Sequence, residues 1–266
     1  MVAHTGNSNM ESSQSYVICT TPRSGSWMLC SALWQLGTAG RPSELFGPTL
    51  GEEFISNRQL VKATHTTQWM EEARKVSMTD NGVFGTKLLA NQTPVFLRRA
   101  CEHRGVAFSS LYGALQSELP NLRYILLTRE DKVAQAISFY TAIATQVWRR
   151  TEAEQVVSTT PLAYDRFALE RCYQDVIASD RYWEGFFATH GISPHRITYE
   201  MLTEQYEHSM RNLLTYLSLP EPDVLPRPKT IKLANALSAE LATLFKREGL
   251  PEEERGLQPN MLWAPF

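Results

Sequence analysis

The sequence predicts an α/β fold of P-loop-like, three-layer kind, with a mostly parallel central sheet flanked by helices. Three observations carry this expectation. Short apolar runs at residues 16–20, 83–89, 124–128 and 196–199 have the length and composition of strands. Segments of helical periodicity separate them, which is the alternation that gives parallel sheets covered by helices. The first run also passes through a compact Gly/Ser turn directly into a helix, the opening unit of a nucleotide-binding fold.

Each element has its own signal. Tyr16-Val-Ile-Cys-Thr20 is the first strand, and Trp27, Cys30, Leu33 and Trp34 recur at helical spacing until Gly37 supplies a stop. Residues 38–46 form a loop with Gly40, Pro42, Ser43 and Glu44, whereas Glu52 and Glu53 look like a helix start. A surface helix over 68–76 has acidic residues early and basic residues late, as the helix dipole favours. Val83-Phe-Gly-Thr-Lys-Leu-Leu89 is the second strand despite its interior glycine, and Pro94 opens a helix reaching Arg104. Tyr124-Ile-Leu-Leu-Thr128 is the third strand. It leads into a helix over 133–148 with an apolar stripe of Val133, Ala136, Ile137, Tyr140 and Ala144. A long helix over 165–189, a strand at Arg196-Ile-Thr-Tyr199 and a helix over 204–217 follow. Four prolines between 220 and 228 forbid regular structure, and an amphipathic helix spans 235–248. Residues 16–266 are expected to form a single domain behind a polar, flexible segment 1–15.

Composition narrows the function. Among 266 residues, 26 basic and 28 acidic side chains leave a net charge of -2, so nothing favours a nucleic-acid partner. Any anion site must be built from a few positioned groups. Four cysteines lie far apart without metal-binding or redox spacing, as in a reduced, cytoplasmic protein. The first fifteen residues lack the apolar core of a signal peptide, and no apolar stretch is long enough to span a membrane.

Thr21-Pro-Arg-Ser-Gly-Ser26 joins the first strand to the first helix. A turn there presents unpaired backbone N–H groups at a helix N-terminus, which together with the helix dipole bind anions. Gly25 permits close backbone approach, Ser24 and Ser26 add hydroxyl donors, and Arg23 adds a permanent forked charge suited to a phosphosulfate. The same residues also fit a plain tight turn with Ser26 as a helix cap. Neither GxxxxGKS/T nor GxGxxG occurs, which argues against ATP or GTP hydrolysis and against a nicotinamide or flavin dinucleotide.

Pro22-Arg23-Ser24-Gly25-Ser26-Trp27 resembles the 5′-phosphosulfate loop of sulfotransferases that use 3′-phosphoadenylyl sulfate (PAPS), whose common form is PKSGTTW; arginine here replaces lysine and one hydroxyl residue is missing. With Gly40-Arg-Pro-Ser-Glu44, Gly82-Val-Phe-Gly-Thr-Lys87 and Thr128-Arg-Glu-Asp-Lys-Val-Ala-Gln-Ala-Ile-Ser-Phe-Tyr140, the set resembles the bacterial trehalose 2-sulfotransferase family. The resemblance runs from Tyr16 to about Glu200 and implies PAPS as cosubstrate, its desulfated form PAP as product, and no metal.

It also implies roles. Arg129 and Ser138 would clamp the 3′-phosphate, and an arginine at the carboxyl end of a parallel strand is well placed for a bidentate phosphate contact. Without the resemblance Arg129 reads as a surface ion pair and Ser138 as a serine bonded back to its own helix. Tyr199 in Tyr199-Glu200 would contact adenine, or else is a core tyrosine at a strand end. Arg227, Lys229 and Lys232 either close over the nucleotide or form a solvated basic face.

A hydroxyl acceptor must lose a proton, and the family's base, a glutamate after the first helix, maps to Glu44. Pro42, Leu45 and Phe46 surround it in sequence and suggest a desolvated carboxyl. Lys87 either faces the sulfuryl group or is an exposed strand-end lysine; His65 either touches substrate or is a bland polar histidine. The histidines have no metal-ligand spacing.

The acceptor pocket is expected from residues 47–79 and 148–164, where Trp148, Arg149 and Arg150 suit either a sugar or a homodimer interface. The partner is thus a small polar acceptor. Trehalose-like sugars and alcohols or amines of specialised metabolism, including alkaloids, both remain open. A small-molecule kinase with a P-loop and a non-catalytic nucleotide- or glycan-binding protein of the same fold are the competing functions.

Overall fold

The computed structural model describes residues 14–46, 53–56, 59–62, 69–148, 163–227 and 236–252. Its centre is a four-stranded parallel sheet of β1 (Gln14–Thr20), β4 (Val83–Leu89), β5 (Leu122–Thr128) and β6 (His195–Thr198), in the order β4-β1-β5-β6. Parallel strands need crossover helices, so both faces become covered and both alternating sets of side chains are apolar. Val17, Cys19, Leu88 and Leu126 face one core with Trp69, Phe96, Leu115 and Trp183. These come from α2 (Trp69–Ser77), α3 (Thr93–Arg104), α4 (Leu111–Glu118) and α6 (Arg166–His190). Tyr16, Ile18, Ile125 and Leu127 face a second core, closed by α1 (Ser26–Leu36), α7 (Tyr199–Glu204) and α8 (Tyr206–Tyr216). Leu29, Leu33 and Leu213 are fully buried there, each contributing about 1.5–3 kcal/mol. A third cluster joins α5 (Lys132–Thr145) to α6 and α9 (Ala236–Arg247).

The interior glycine of β4 has a packing reason. Gly85 pairs with Tyr16 across the ladder, and a Cβ on it would lie 2.4 Å from the tyrosine ring. The ring fills that space, and its hydroxyl donates to the Ala39 carbonyl at 2.6 Å.

Several expectations need correction. Glu53 opens a strand: β2 (Glu53–Ser56) and β3 (Gln59–Lys62) form an antiparallel hairpin. Helix α4, capped by Ser110 accepting from the Gly113 N–H at 3.2 Å, was hidden by its length and its interior glycine. The helix after β5 stops at Thr145, because Gln146 takes a left-handed conformation at φ 57. Tyr199 does not end a strand; it opens α7 behind the Thr198 cap. The segment 1–13 and the residues His65, Arg149, Arg150, Lys229 and Lys232 lie outside the described residues. Because all four strands are parallel, the segments after Thr20, Leu89, Thr128 and Thr198 emerge at one edge of the sheet.

Candidate functional site

The turn after β1 is the most constrained of these segments. Arg23 and Gly25 both take left-handed conformations, at φ 64 and φ 81. For the arginine this costs about 1–2 kcal/mol, offset by what its side chain gains. Arg23 Nε donates to Ser138 Oγ at 2.9 Å, and its terminal nitrogen donates to the Trp148 carbonyl. Ser138 Oγ thus anchors the loop arginine, and no bond from it back along α5 is found among the described residues. Gly25, not Ser26, is the N-cap of α1, and its carbonyl accepts from the N–H groups of Met28 and Leu29. The ends of the loop's first residues are fixed from below. Ser24 Oγ is buried between Thr20 Oγ1 at 2.6 Å and the Thr21 carbonyl at 2.9 Å, so its hydroxyl is an internal brace. The buried Gln135 of α5 donates to Thr21 Oγ1 and to the Pro22 carbonyl, both at 2.7 Å. Trp183 of α6 donates its indole N–H to the Thr20 carbonyl at 3.0 Å.

Arg129 follows β5 and stands over Tyr199, its guanidinium carbon 4.6 Å from the ring centre. Tyr199 in turn lies against Gly25, where a Cβ would sit 2.6 Å from the ring. Glu200 supports the backbone beneath Arg129, accepting from the N–H groups of Glu130 at 3.0 Å and Asp131 at 3.4 Å. Asp131 then caps α5 by accepting from the Ala134 N–H at 2.8 Å. Burial and the nearby Arg129 lower Arg23 to about 10, in that order of importance. Neither arginine is paired with a carboxylate among the described residues. Two guanidinium groups close enough to oppose each other's charge form a cationic cradle that an anion compensates.

The third part lies at β4. Lys87 is buried, contrary to an exposed strand-end lysine, and its Nζ pairs with Glu44 Oε1 at 2.5 Å and reaches Ser26 Oγ at 3.3 Å. The other carboxylate oxygen of Glu44 accepts from Gln92 Nε2 at 2.9 Å. The expected apolar enclosure of Glu44 is not found: its side chain is 43% exposed. Leu45 and Phe46 turn into the core, leaving the carboxylate at the surface of the site. The loop bearing it is tied to β4 through Lys87 N–H donating to the Ser43 carbonyl at 3.0 Å. It is tied to α1 through Trp34 Nε1 donating to the Pro42 carbonyl at 2.8 Å. Trp27, at the start of α1, meets Trp34 edge to face at 5.0 Å.

The buried polar atoms Ser43 Oγ, Asn91 Oδ1, Arg129 Nε and Gln135 Oε1 have no hydrogen-bond partner among the described residues. All four belong to segments around this one sheet edge. Buried polar groups are rarely left unpaired, and these four give the sheet edge polar atoms that a ligand or water can satisfy.

Residues 15–248 match the family model described as Stf0 sulphotransferase. The chain belongs to that family. This sulfotransferase is 29% identical to the trehalose 2-sulfotransferase of Mycobacterium tuberculosis, over 89% of this chain and 97% of the relative. It is 26% identical to the trehalose 2-sulfotransferase of Mycolicibacterium smegmatis, with the same coverage. Among solved structures, the sulfotransferase from Alicyclobacillus acidocaldarius aligns with a TM-score of 0.47 at 14% identity, covering 89% of this chain and 93% of that one. Family membership decides between the three functions left open by the sequence: the chain is an enzyme, a sulfotransferase.

The sulfotransferase thus brings Pro22, Arg23, Ser24, Gly25, Ser26, Trp27, Arg129, Ser138 and Tyr199 to one sheet edge, with Glu44 and Lys87 beside them. Among the described residues no side-chain contact places Arg227 in it; its backbone carbonyl accepts from Gln35 at 3.3 Å. Trp148 is 46% exposed and packs near Phe139. Gln92, Gln135 and Glu200 were missed by the sequence reading. A polar residue inside the apolar face of α5 was the available signal for Gln135, and the acidic member of Tyr199-Glu200 was the signal for Glu200.

Proposed function

We propose that this sulfotransferase moves the sulfuryl group of PAPS to a hydroxyl of a small polar acceptor, releasing PAP. The observation that carries the reading is the convergence of Arg23 and Arg129 from two strand ends, linked through Tyr199 and Ser138. A donor with phosphates at both 5′ and 3′ positions needs two such cationic points, and the left-handed Gly25 opens α1, whose N-terminus favours an anion, right after Arg23. PAPS supplies an activated sulfuryl group on a leaving phosphate.

The chain's own residues do the rest. Glu44 accepts the proton of the acceptor hydroxyl on its exposed side while Lys87 and Gln92 hold it. Lys87, between Glu44 and Ser26, lies where negative charge moves during transfer and stabilises it. Arg23 and Arg129 hold the charge left on PAP. The partner read from the relatives' names is a sugar of trehalose type, and the four free thiols suit a reducing, cytoplasmic compartment. Among the described residues no helix is long and apolar enough to cross a membrane.

The test is incubation with PAPS and a panel of trehalose, other sugars, alcohols and amines, followed by mass spectrometry for an added SO₃. Absence of transfer to every acceptor, together with no thermal stabilisation by PAP, overturns the reading.

A further inference from the structure

We infer that Gln92 is a positioning residue that fixes the orientation of the Glu44 carboxylate toward the acceptor hydroxyl; this rests on Glu44 acting as the base. Gln92 follows β4 in a short 3-10 turn and is 2% exposed. A buried amide can face either way, and here the backbone decides. Gln92 Oε1 accepts from the Leu89 N–H at 3.1 Å, and Leu89 belongs to the last pair of the β1–β4 ladder. With the oxygen committed to that donor, the NH₂ end must point outward, where it donates to Glu44 Oε2 at 2.9 Å.

The carboxylate is thereby held at both oxygens by donors of one rigid strand and its end. Lys87 takes Oε1 and Gln92 takes Oε2. A half-exposed glutamate held at one oxygen only would swing about its remaining torsions. Alignment of a base with its proton is a large part of what such a residue contributes. Gln92 is also neutral, and this matters. Lys87 already supplies one positive charge, and a second cation at position 92 would make the carboxylate a poorer proton acceptor. Among the described residues, charged and titratable groups that face Glu44 include Lys87 from β4 and Cys30 from α1. Burial pushes the Cys30 thiol up to about 12, so it stays neutral and adds no charge.

The test uses the whole chain with PAPS and trehalose as probes and two variants. Gln92→Met keeps the length without the donor; Gln92→Glu keeps the acceptor for the Leu89 N–H and replaces the donor by a second carboxylate. For Gln92→Met, kcat is expected to fall about 10- to 100-fold while the KM for PAPS stays within about twofold. The acid limb of the kcat–pH profile should move to higher pH, and further still for Gln92→Glu. Independently of any acceptor, the ¹³C carboxyl resonance of Glu44, identified by its loss in Glu44→Gln, should titrate at higher pH in both variants. An unchanged Glu44 titration and acid limb, with activity falling only in step with thermal stability or PAPS affinity, overturns the inference. Failure of the unaltered protein to sulfate any acceptor overturns the proposed function instead, and the Glu44 titration still decides whether Gln92 holds the carboxylate.

Discussion

The ring of Tyr199 rests on the backbone of Gly25, so close that a Cβ at position 25 would fall 2.6 Å from Tyr199 Cδ2. This contact joins the first residue of α7 to the N-cap of α1, and through the guanidinium above the ring it also joins Arg129. Gly25→Ala meets two obstacles. A left-handed alanine costs about 1–2 kcal/mol, and the methyl group displaces the ring. We expect kcat/KM to fall about 100-fold as the loop shifts. Adding Tyr199→Ala should restore part of the lost melting temperature, because the two changes share one contact. Strictly additive losses in melting temperature would show that the contact is not what makes position 25 intolerant.

The arginine of the loop is held by its fork. Arg23→Lys keeps the charge but loses the Nε–H donor to Ser138 and the separate donor to the Trp148 carbonyl. A KM for PAPS raised about tenfold, with kcat less affected, is the expected outcome. Ser138→Ala should weaken PAPS binding in the same way, and the double variant should be little worse than either single change. Steady-state kinetics on the four proteins decide this; full additivity would mean that the Arg23–Ser138 bond is not what positions the guanidinium.

The placement of the residues proposed to bind the donor is legible in the sequence because they are contiguous. Strand, turn and helix signals place Arg23 to Trp27 at one point, and the run from Thr128 to Tyr140 places Arg129 and Ser138 at another. The acceptor half was less so. For Lys87 nothing local tells a buried lysine from an exposed one at a strand end; the ion pair that decides it spans 43 positions in sequence. Gln92, Gln135 and Glu200 act through contacts at separations of 48, 113 or 114, and 69 or 70 residues. No periodicity encodes such pairings. The sequence extends the fourth strand through Tyr199 because Thr198 and Tyr199 are good strand formers, while the capping hydroxyl of Thr198 accepts from the Met201 N–H at 3.1 Å and turns the chain into a helix from Tyr199 onward.

His195 opens β6, the strand that delivers Tyr199, and its ring stacks on Tyr216 at 4.9 Å. Burial lowers its pKa below the ordinary 6.5. The unfolded chain therefore binds a proton at pH values where the folded protein does not. Stability from this group is complete above the unfolded value and is lost as pH falls through it toward the folded one. Urea unfolding at about pH 7.5 and pH 5.5 should show a loss of stability on acidification that is smaller in His195→Phe, which keeps the stacking surface. An equal loss in both proteins would place the acid sensitivity elsewhere.

Arg129→Ala and Glu44→Gln should separate donor binding from chemistry. Among the described residues Arg129 has a buried Nε without a hydrogen-bond partner and no carboxylate to neutralise it, which suits its proposed role in holding the donor. Removing it should weaken PAP binding about 10- to 100-fold by calorimetry, the size of one or two charge-assisted hydrogen bonds. Glu44 pairs with Lys87 and accepts from Gln92. Glu44→Gln preserves the shape and a hydrogen-bond acceptor but not the proton acceptor. It should lower kcat about 100- to 10,000-fold with PAP affinity within about twofold. Lys87 loses its counter-charge in this variant, and the neutral amide can still accept from it, so the strand end should stay folded. If Glu44→Gln weakened PAP binding and Arg129→Ala left it intact, the two residues would have to exchange roles.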